Sequence, residues 1–345
     1  MSGTGTPGSD ERAARKKAAE RLWALASPVT PMAIRAVATL RIADHLAEGS
    51  RTATELGAAV GADPDGLARV LRFLTGKGLF SRDGERFALT EVGATLRTDH
   101  PYSRLGWFAG DGAHGRGDEC LAELADALRT GKSAYALRFE GSDFWSDLSA
   151  DPDLSRSFDE LMGSRMVEQA RTLAGMFEWQ ALEHLVDVGG GDGTLLRTLL
   201  ERFPRPRGTV LDLAGPAATA RAHFRAAGLE DRADAVEGSF FEALPEGGDA
   251  YLLCWILHDW DDASAVTILR RCAEAAGVDG RVLVAEYAGA GEVSELDLRM
   301  LAYFNGRERG TEALVSLAER AGLSLAGDHV SGRVALLEFT TTRPA

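Results

Sequence analysis

Cysteine is scarce: Cys120, Cys254 and Cys272 stand far apart with no Cys-x-x-Cys pair. That excludes a disulfide framework or a zinc knuckle and points to a reducing compartment. Positive charge is also short, with 38 Lys and Arg against 52 Asp and Glu and a net charge of −14. A nucleic-acid surface needs a local excess of cations, so the balance favours small-molecule partners. No apolar run approaches the length that spans a bilayer. Residues 1–10 are Gly-, Ser- and Thr-rich without the apolar core of a signal peptide. The expectation is a cytoplasmic enzyme with neither membrane nor nucleic-acid partners. One further absence is local. After Gly189 and Gly191 a dinucleotide fingerprint would place its third glycine where Thr194 stands.

A chain of 345 residues is too long for one small core, and two domains are the natural expectation. After a disordered tail, 1–11, helical spacing occupies 12–28 and 30–48. Thr52 and Asp63 open two more helices, and Leu79–Leu89 reads as a β-hairpin around Asp83-Gly84. Helix, helix, hairpin is a winged helix-turn-helix, so a regulator that senses a ligand and reads DNA has to be weighed. Between Arg35 and Asp99 nine basic residues face nine acidic ones, and the would-be recognition helix, 65–73, carries only Arg69 and Arg72. A groove reader is richer in cations. The segment 12–103 is therefore read as a winged-helix-like dimerisation domain. Residues 104–180 are expected to be helical and aromatic-rich, lining a pocket for a flat substrate, with His114, Arg138 and Trp145 as possible contacts.

From residue 184 the rhythm is strand and helix in alternation. The expected strands are 184–188, 208–213, 233–237, 249–254 and 281–286, parallel, with a closing hairpin of 323–329 and 333–340 around Ser331-Gly332. This makes 181–345 an α/β, Rossmann-like unit whose ligands gather at the carboxyl edge of the sheet. The first strand ends on Asp187 and enters Gly-Gly-Gly-Asp-Gly, and about 20 residues on the second ends at Asp212, the distance at which an acid meets ribose hydroxyls. Glycine at alternate positions beside an acid suits S-adenosylmethionine (SAM), which carries an ammonium, a carboxylate and a ribose but no phosphate. His258 emerges at the same edge after the fourth strand, Glu286 ends the fifth, and Glu308 lies in the loop before a later helix. Carboxylates beside an imidazole orient it and stabilise the imidazolium formed when it accepts a proton. No His/Asp cluster has metal-ligand spacing.

Val186-Asp-Val-Gly-Gly-Gly-Asp-Gly, Gly238-Ser-Phe-Phe241, His258-Asp-Trp and Gly306-Arg-Glu-Arg309 together resemble the SAM-dependent O-methyltransferases of plant phenylpropanoid and bacterial polyketide pathways. The likeness covers nearly the whole chain. It implies a seven-stranded class I methyltransferase domain behind a winged-helix domain that builds a homodimer. It also implies that SAM, leaving as S-adenosylhomocysteine (SAH), is held by Asp187, Gly189, Gly191, Asp212, Leu213, Ser239, Phe240, Cys254, Trp255 and Met162. Ser239 stands where many relatives have an acid, and Cys254 replaces the lysine of plant members. Phe158, Arg165, Met166, Asp259, Met300, Tyr303, Phe304 and Asn305 fall at substrate-pocket positions. His258 would take a phenolic proton, supported by Glu286 and Glu308, without a metal. A relative that keeps SAM but hydroxylates or decarboxylates a polyketide is the rival enzyme.

Overall fold

The apolar runs after residue 184 pair into one seven-stranded sheet. Its order across is Ala233–Glu237, Arg207–Asp212, His184–Val188, Ala250–Cys254, Arg281–Tyr287, Val334–Thr341 and Leu323–Ser331. The first five are parallel and the last two close the edge as an antiparallel hairpin. These are the seven expected strands with ends shifted by one or two residues. Near-continuous apolar sequence follows from burial on both faces: Val186, Val188, Leu252 and Leu253 are buried between two helical layers. Chain order reverses between His184–Val188 and Ala250–Cys254, which opens a crevice at their carboxyl ends.

The computed structural model describes residues 9–289 and 294–341, and the chain divides into two units after Asp111. The helical segment that follows belongs with the sheet. Its main element is the 22-residue helix Pro152–Leu173, started by Pro152 and by Asp151, whose Oδ1 accepts from the backbone N–H of Asp153 and Leu154.

In the N-terminal unit, Thr52 and Glu55 form a capping box for the helix Ala53–Val60, and Asp63 caps Pro64–Thr75. The hairpin Phe80–Asp83 and Arg86–Leu89 gains a third strand, Arg51–Thr52, that the sequence did not announce. Leu56, Leu71, Leu74, Phe80 and Phe87 form its core. Two expectations change. Of the tail 1–11, residues 1–8 lie outside the described residues, while the helix Ser9–Ala26 already includes Asp10 and Glu11, acids that favour a helix N-terminus. The expected helix 30–48 is broken into Val29–Thr39 and Ile42–His45 because Arg41 turns left-handed, with φ 53°, and donates from Nη1 to the Ala38 carbonyl.

Candidate active site

The loop after the first strand turns on three left-handed glycines, 189, 191 and 193. At Gly191 the added Cβ of another residue would meet open space, so a ligand can approach the backbone. Asp212 clips this loop to the second strand: Oδ2 accepts from Gly191 N–H at 2.8 Å and Oδ1 from Leu213 N–H at 2.7 Å. Two backbone bonds leave lone pairs on the carboxylate for hydroxyl donors. Asp187 is 1% exposed, and neither of its carboxylate oxygens has a hydrogen-bond partner among the described residues. Burial, with Asp212 and Asp192 adding to it, pushes its carboxyl up to about 7. An orphaned buried carboxylate marks a place for a cation or donor. Acids without a paired Lys or Arg reject phosphates and fit SAM, with its ammonium, sulfonium and ribose hydroxyls.

Around this loop Phe240 packs edge-on against Phe241 and Trp260, and its ring would lie 3.4 Å from a Cβ at Gly189. Ser239 Oγ accepts from Phe241 N–H. Cys254 is buried, and desolvation drives its thiol pKa well up, so it acts as a packing residue. Trp255 sits at φ 55° with its indole N–H buried and without a hydrogen-bond partner among the described residues, its ring tilted over Tyr287. Such strain in a non-glycine residue at a strand end is typical of a functional edge.

His258 follows in the short turn Leu257–Asp259. Glu286 holds it twice: Oε2 lies 2.8 Å from the ring Nδ1, and Oε1 accepts from the His258 backbone N–H at 3.3 Å. Asp259 Oδ1 is 3.4 Å from Nε2. Burial alone would lower the imidazole pKa, but Glu286, Asp259 and then Glu308 outweigh it and raise it to about 9. Burial conversely pushes the Asp259 carboxyl up to about 7. Glu308 reaches the ring through charge, while its own N–H donates to Asp297 Oδ1 at 2.8 Å. The loop that carries it passes so close that a Cβ on Gly306 would lie 2.3 Å from the His258 carbonyl oxygen.

The structure thus brings His258, Glu286, Asp259 and Glu308 together. A second gathering is aromatic: Trp145 stacks on Phe304 with centroids 5.2 Å apart, and Phe158 meets Trp145 edge-on at 5.5 Å. Phe158 shares the helix Pro152–Leu173 with Met162, Arg165 and Met166. Met166 packs on the core beneath the sheet, and Arg165 donates to the Tyr287 hydroxyl at 2.8 Å. Met300 is buried, and the Tyr303 hydroxyl is engaged by Asp118, which also accepts from Arg299. Asn305 caps its helix at φ 61°. His114 lies edge-on to Tyr303, and Arg138 faces Glu119 at 3.9 Å.

Two residues escaped the sequence reading. Arg309, quoted only within a motif, is 6% exposed and donates to the carbonyls of Leu257 and Trp260, both at 2.7 Å, which bracket His258. Asp159, on the long helix, faces the acids of the glycine loop. Among the described residues no group of three or more His, Cys, Asp or Glu is arranged to hold a metal ion.

Both the strand order and the loop at its reversal are those of a class I methyltransferase. The family model of the O-methyltransferase domain matches residues 121–324, and that of the O-methyltransferase dimerisation domain matches residues 23–99. The 2,7-dihydroxy-5-methyl-1-naphthoate 7-O-methyltransferase of Streptomyces carzinostaticus is 50% identical over 326 residues, covering 92% of this chain and 97% of that protein. Aclacinomycin 10-hydroxylase RdmB of Streptomyces purpurascens is 41% identical over 332 residues, covering 92% of this chain and 88% of its own. The crystal structure of NcsB1, an O-methyltransferase from neocarzinostatin biosynthesis in complex with SAM and 2-hydroxy-5-methyl naphthoic acid, superposes with a TM-score of 0.89 at 50% identity, covering 93% of this chain and 98% of that one. The chain belongs to the O-methyltransferase family.

Proposed function

We propose that this protein transfers a methyl group from SAM to a phenolic hydroxyl of an aromatic polyketide of naphthoate type, with His258 as the base. The 2.8 Å bond from Glu286 to Nδ1 carries the reading, because it engages Nδ1 and leaves Nε2, which Asp259 Oδ1 approaches at 3.4 Å, as the ring atom that exchanges a proton with a substrate. When bound, SAM supplies an electrophilic methyl on a positively charged sulfur. Asp212 and Asp187 would hold its ribose and cationic groups, and Trp145, Phe158 and Phe304 would flank a flat ring. A phenol is mostly protonated at neutral pH and poorly nucleophilic. His258 removes that proton as the oxygen attacks, and Glu286, Asp259 and Glu308 stabilise the resulting imidazolium. The displacement cancels charge, so alignment and exclusion of water contribute most and the reading needs no metal ion.

The naphthoate O-methyltransferase relative supports this substrate class, and the hydroxylase relative makes the rival concrete. Mass spectrometry after incubation with SAM and hydroxynaphthoates separates the two. A product heavier by one methylene supports methyl transfer, whereas a product heavier by one oxygen would replace that reading. The pH dependence follows from the raised imidazole. The base must be deprotonated, so kcat/KM should rise about tenfold per pH unit up to the free-enzyme value of about 9 and then level. In Glu286→Gln the carboxylate that holds the proton is gone, and the break should move to lower pH. A profile flat from pH 6 to 9 in both proteins would remove His258 from proton transfer.

The N-terminal unit is proposed to hold a homodimer and not to bind DNA. On the helix Ser9–Ala26, Leu22, Trp23 and Leu25 are exposed, Trp23 by 78%. Such a row needs a partner surface. The double variant Leu22→Asp, Trp23→Asp should be monomeric in light scattering, and a dimer of unchanged stability would contradict the assignment. A gel shift in low salt, where even non-specific binding shows, tests the regulator alternative. Among the described residues no helix is long and apolar enough to cross a membrane.

A further inference from the structure

The helix Pro152–Leu173 brings one more acid to the glycine loop. Residues 155, 159 and 163 recur every four positions and share a face. That face lies on the loops after the first two strands: a Cβ on Gly163 would sit 2.5 Å from Asp192 Oδ2, and one on Gly215 would sit 3.9 Å from Ser155 Oγ. Asp159 lies between these contacts. Burial first, then the charges of Asp212, Asp192 and Glu160, push its carboxyl up to about 7. Asp159, Asp187, Asp192 and Asp212 thus gather at one loop, and among the described residues none of them is paired with a Lys or Arg. Asp192 Oδ1 accepts from the Thr194 N–H at 3.0 Å, and its Oδ2 lies 3.7 Å from His223 Nδ1. The buried, partnerless oxygens of Asp187 show independently that the group lacks a counter-charge.

We propose that Asp159 is a specificity residue that lets this site tell the charged methyl donor from its uncharged product. The inference rests on the methyl-transfer reading above. Transfer breaks the methyl carbon–sulfur bond, leaves the electron pair on sulfur and joins the methyl to the phenolic oxygen, whose proton passes to His258. The sulfur begins positive and ends neutral. The acids attract the first state and give up part of that attraction in the second, so the site favours the donor over the product. Asp159 adds to this from outside the glycine motif, and Gly163, having no side chain, lets the helix approach closely enough for its charge to be felt.

Calorimetry with SAM, SAH and sinefungin, whose amine replaces the sulfonium, tests the inference without turnover. Asp159→Asn should weaken SAM and sinefungin by about five-fold, the loss of one carboxylate in a partly screened site, and SAH by less than about two-fold. Asp159→Glu should restore the wild-type ratio. In the wild-type protein the preference for SAM over SAH should narrow as salt rises from about 0.02 to about 0.5 M, which needs no variant to fold. Equal weakening of all three ligands, no weakening of any, or a salt-independent ratio would overturn the role of Asp159. Wild-type protein that binds neither SAM nor SAH would overturn the methyl-transfer reading itself.

Discussion

His258→Gln is expected to lower methyl transfer by ~10²-fold or more while SAM binds within about two-fold of wild type. Glutamine can keep a hydrogen bond to Glu286 and much of the ring's volume, so the loop and the donor site should survive. It cannot take up a proton at neutral pH. Two opposing effects act on the native ring: burial favours the neutral form, and Glu286, Asp259 and Glu308 favour the charged one. The carboxylates prevail, at about 9. The ligand-free enzyme therefore carries an imidazolium at neutral pH, and a substrate meets either that cation as a phenolate or the minor neutral ring as a phenol. Both routes place one proton between the phenolic oxygen and Nε2, and both are lost with glutamine. Full activity in the variant, with product confirmed by mass, would remove His258 from the chemistry.

Much of this arrangement was legible in the sequence because its signals are local. The run Leu185-Val-Asp-Val188 is bounded by His184 and Gly189, the run Ala250–Leu257 by Asp249 and His258, and each has a length that suits a strand. That placed Asp187, Asp212, His258 and Glu286 at one edge before any contact was known. What the sequence hid depends on distant partners. Asp159 stands among Ser155, Arg156 and Glu160 on a helix, where an acid reads as part of a solvated face, and only the absent side chain of Gly163 betrays a close approach. The substrate-pocket expectation for Tyr303 rested on position, and its hydroxyl finds Asp118 across 185 residues. The break at Arg41 carries no glycine or proline to announce it, since the left-handed turn is held by a side-chain bond to Ala38.

Arg309→Met should lower the unfolding temperature by about 5–10 °C, equivalent to ~2–4 kcal/mol in a unit of this size, and reduce kcat with it. The guanidinium is almost wholly buried. Its Nη1 donates to the Leu257 carbonyl and its Nη2 to the Trp260 carbonyl, each at 2.7 Å, with Asp262 Oδ1 at 2.8 Å. Methionine fills much of the space but supplies no donor, so two buried carbonyls flanking His258 and Asp259 lose their partner. The exposed side of Asp262 makes the ion pair the smaller part of the loss. Arg307 N–H still donates to the His258 carbonyl at 2.9 Å, so the loop should stay attached at one point while the turn that aims the imidazole loosens. Arg309→Lys keeps the charge without the planar fork and should recover only part of the loss. If kcat falls in the methionine variant while SAM affinity holds, the defect lies in aiming His258 and Glu308. If the unfolding temperature stays within about 2 °C of wild type and kcat is unchanged, the close pass of Gly306 alone fixes the loop and Arg309 is dispensable.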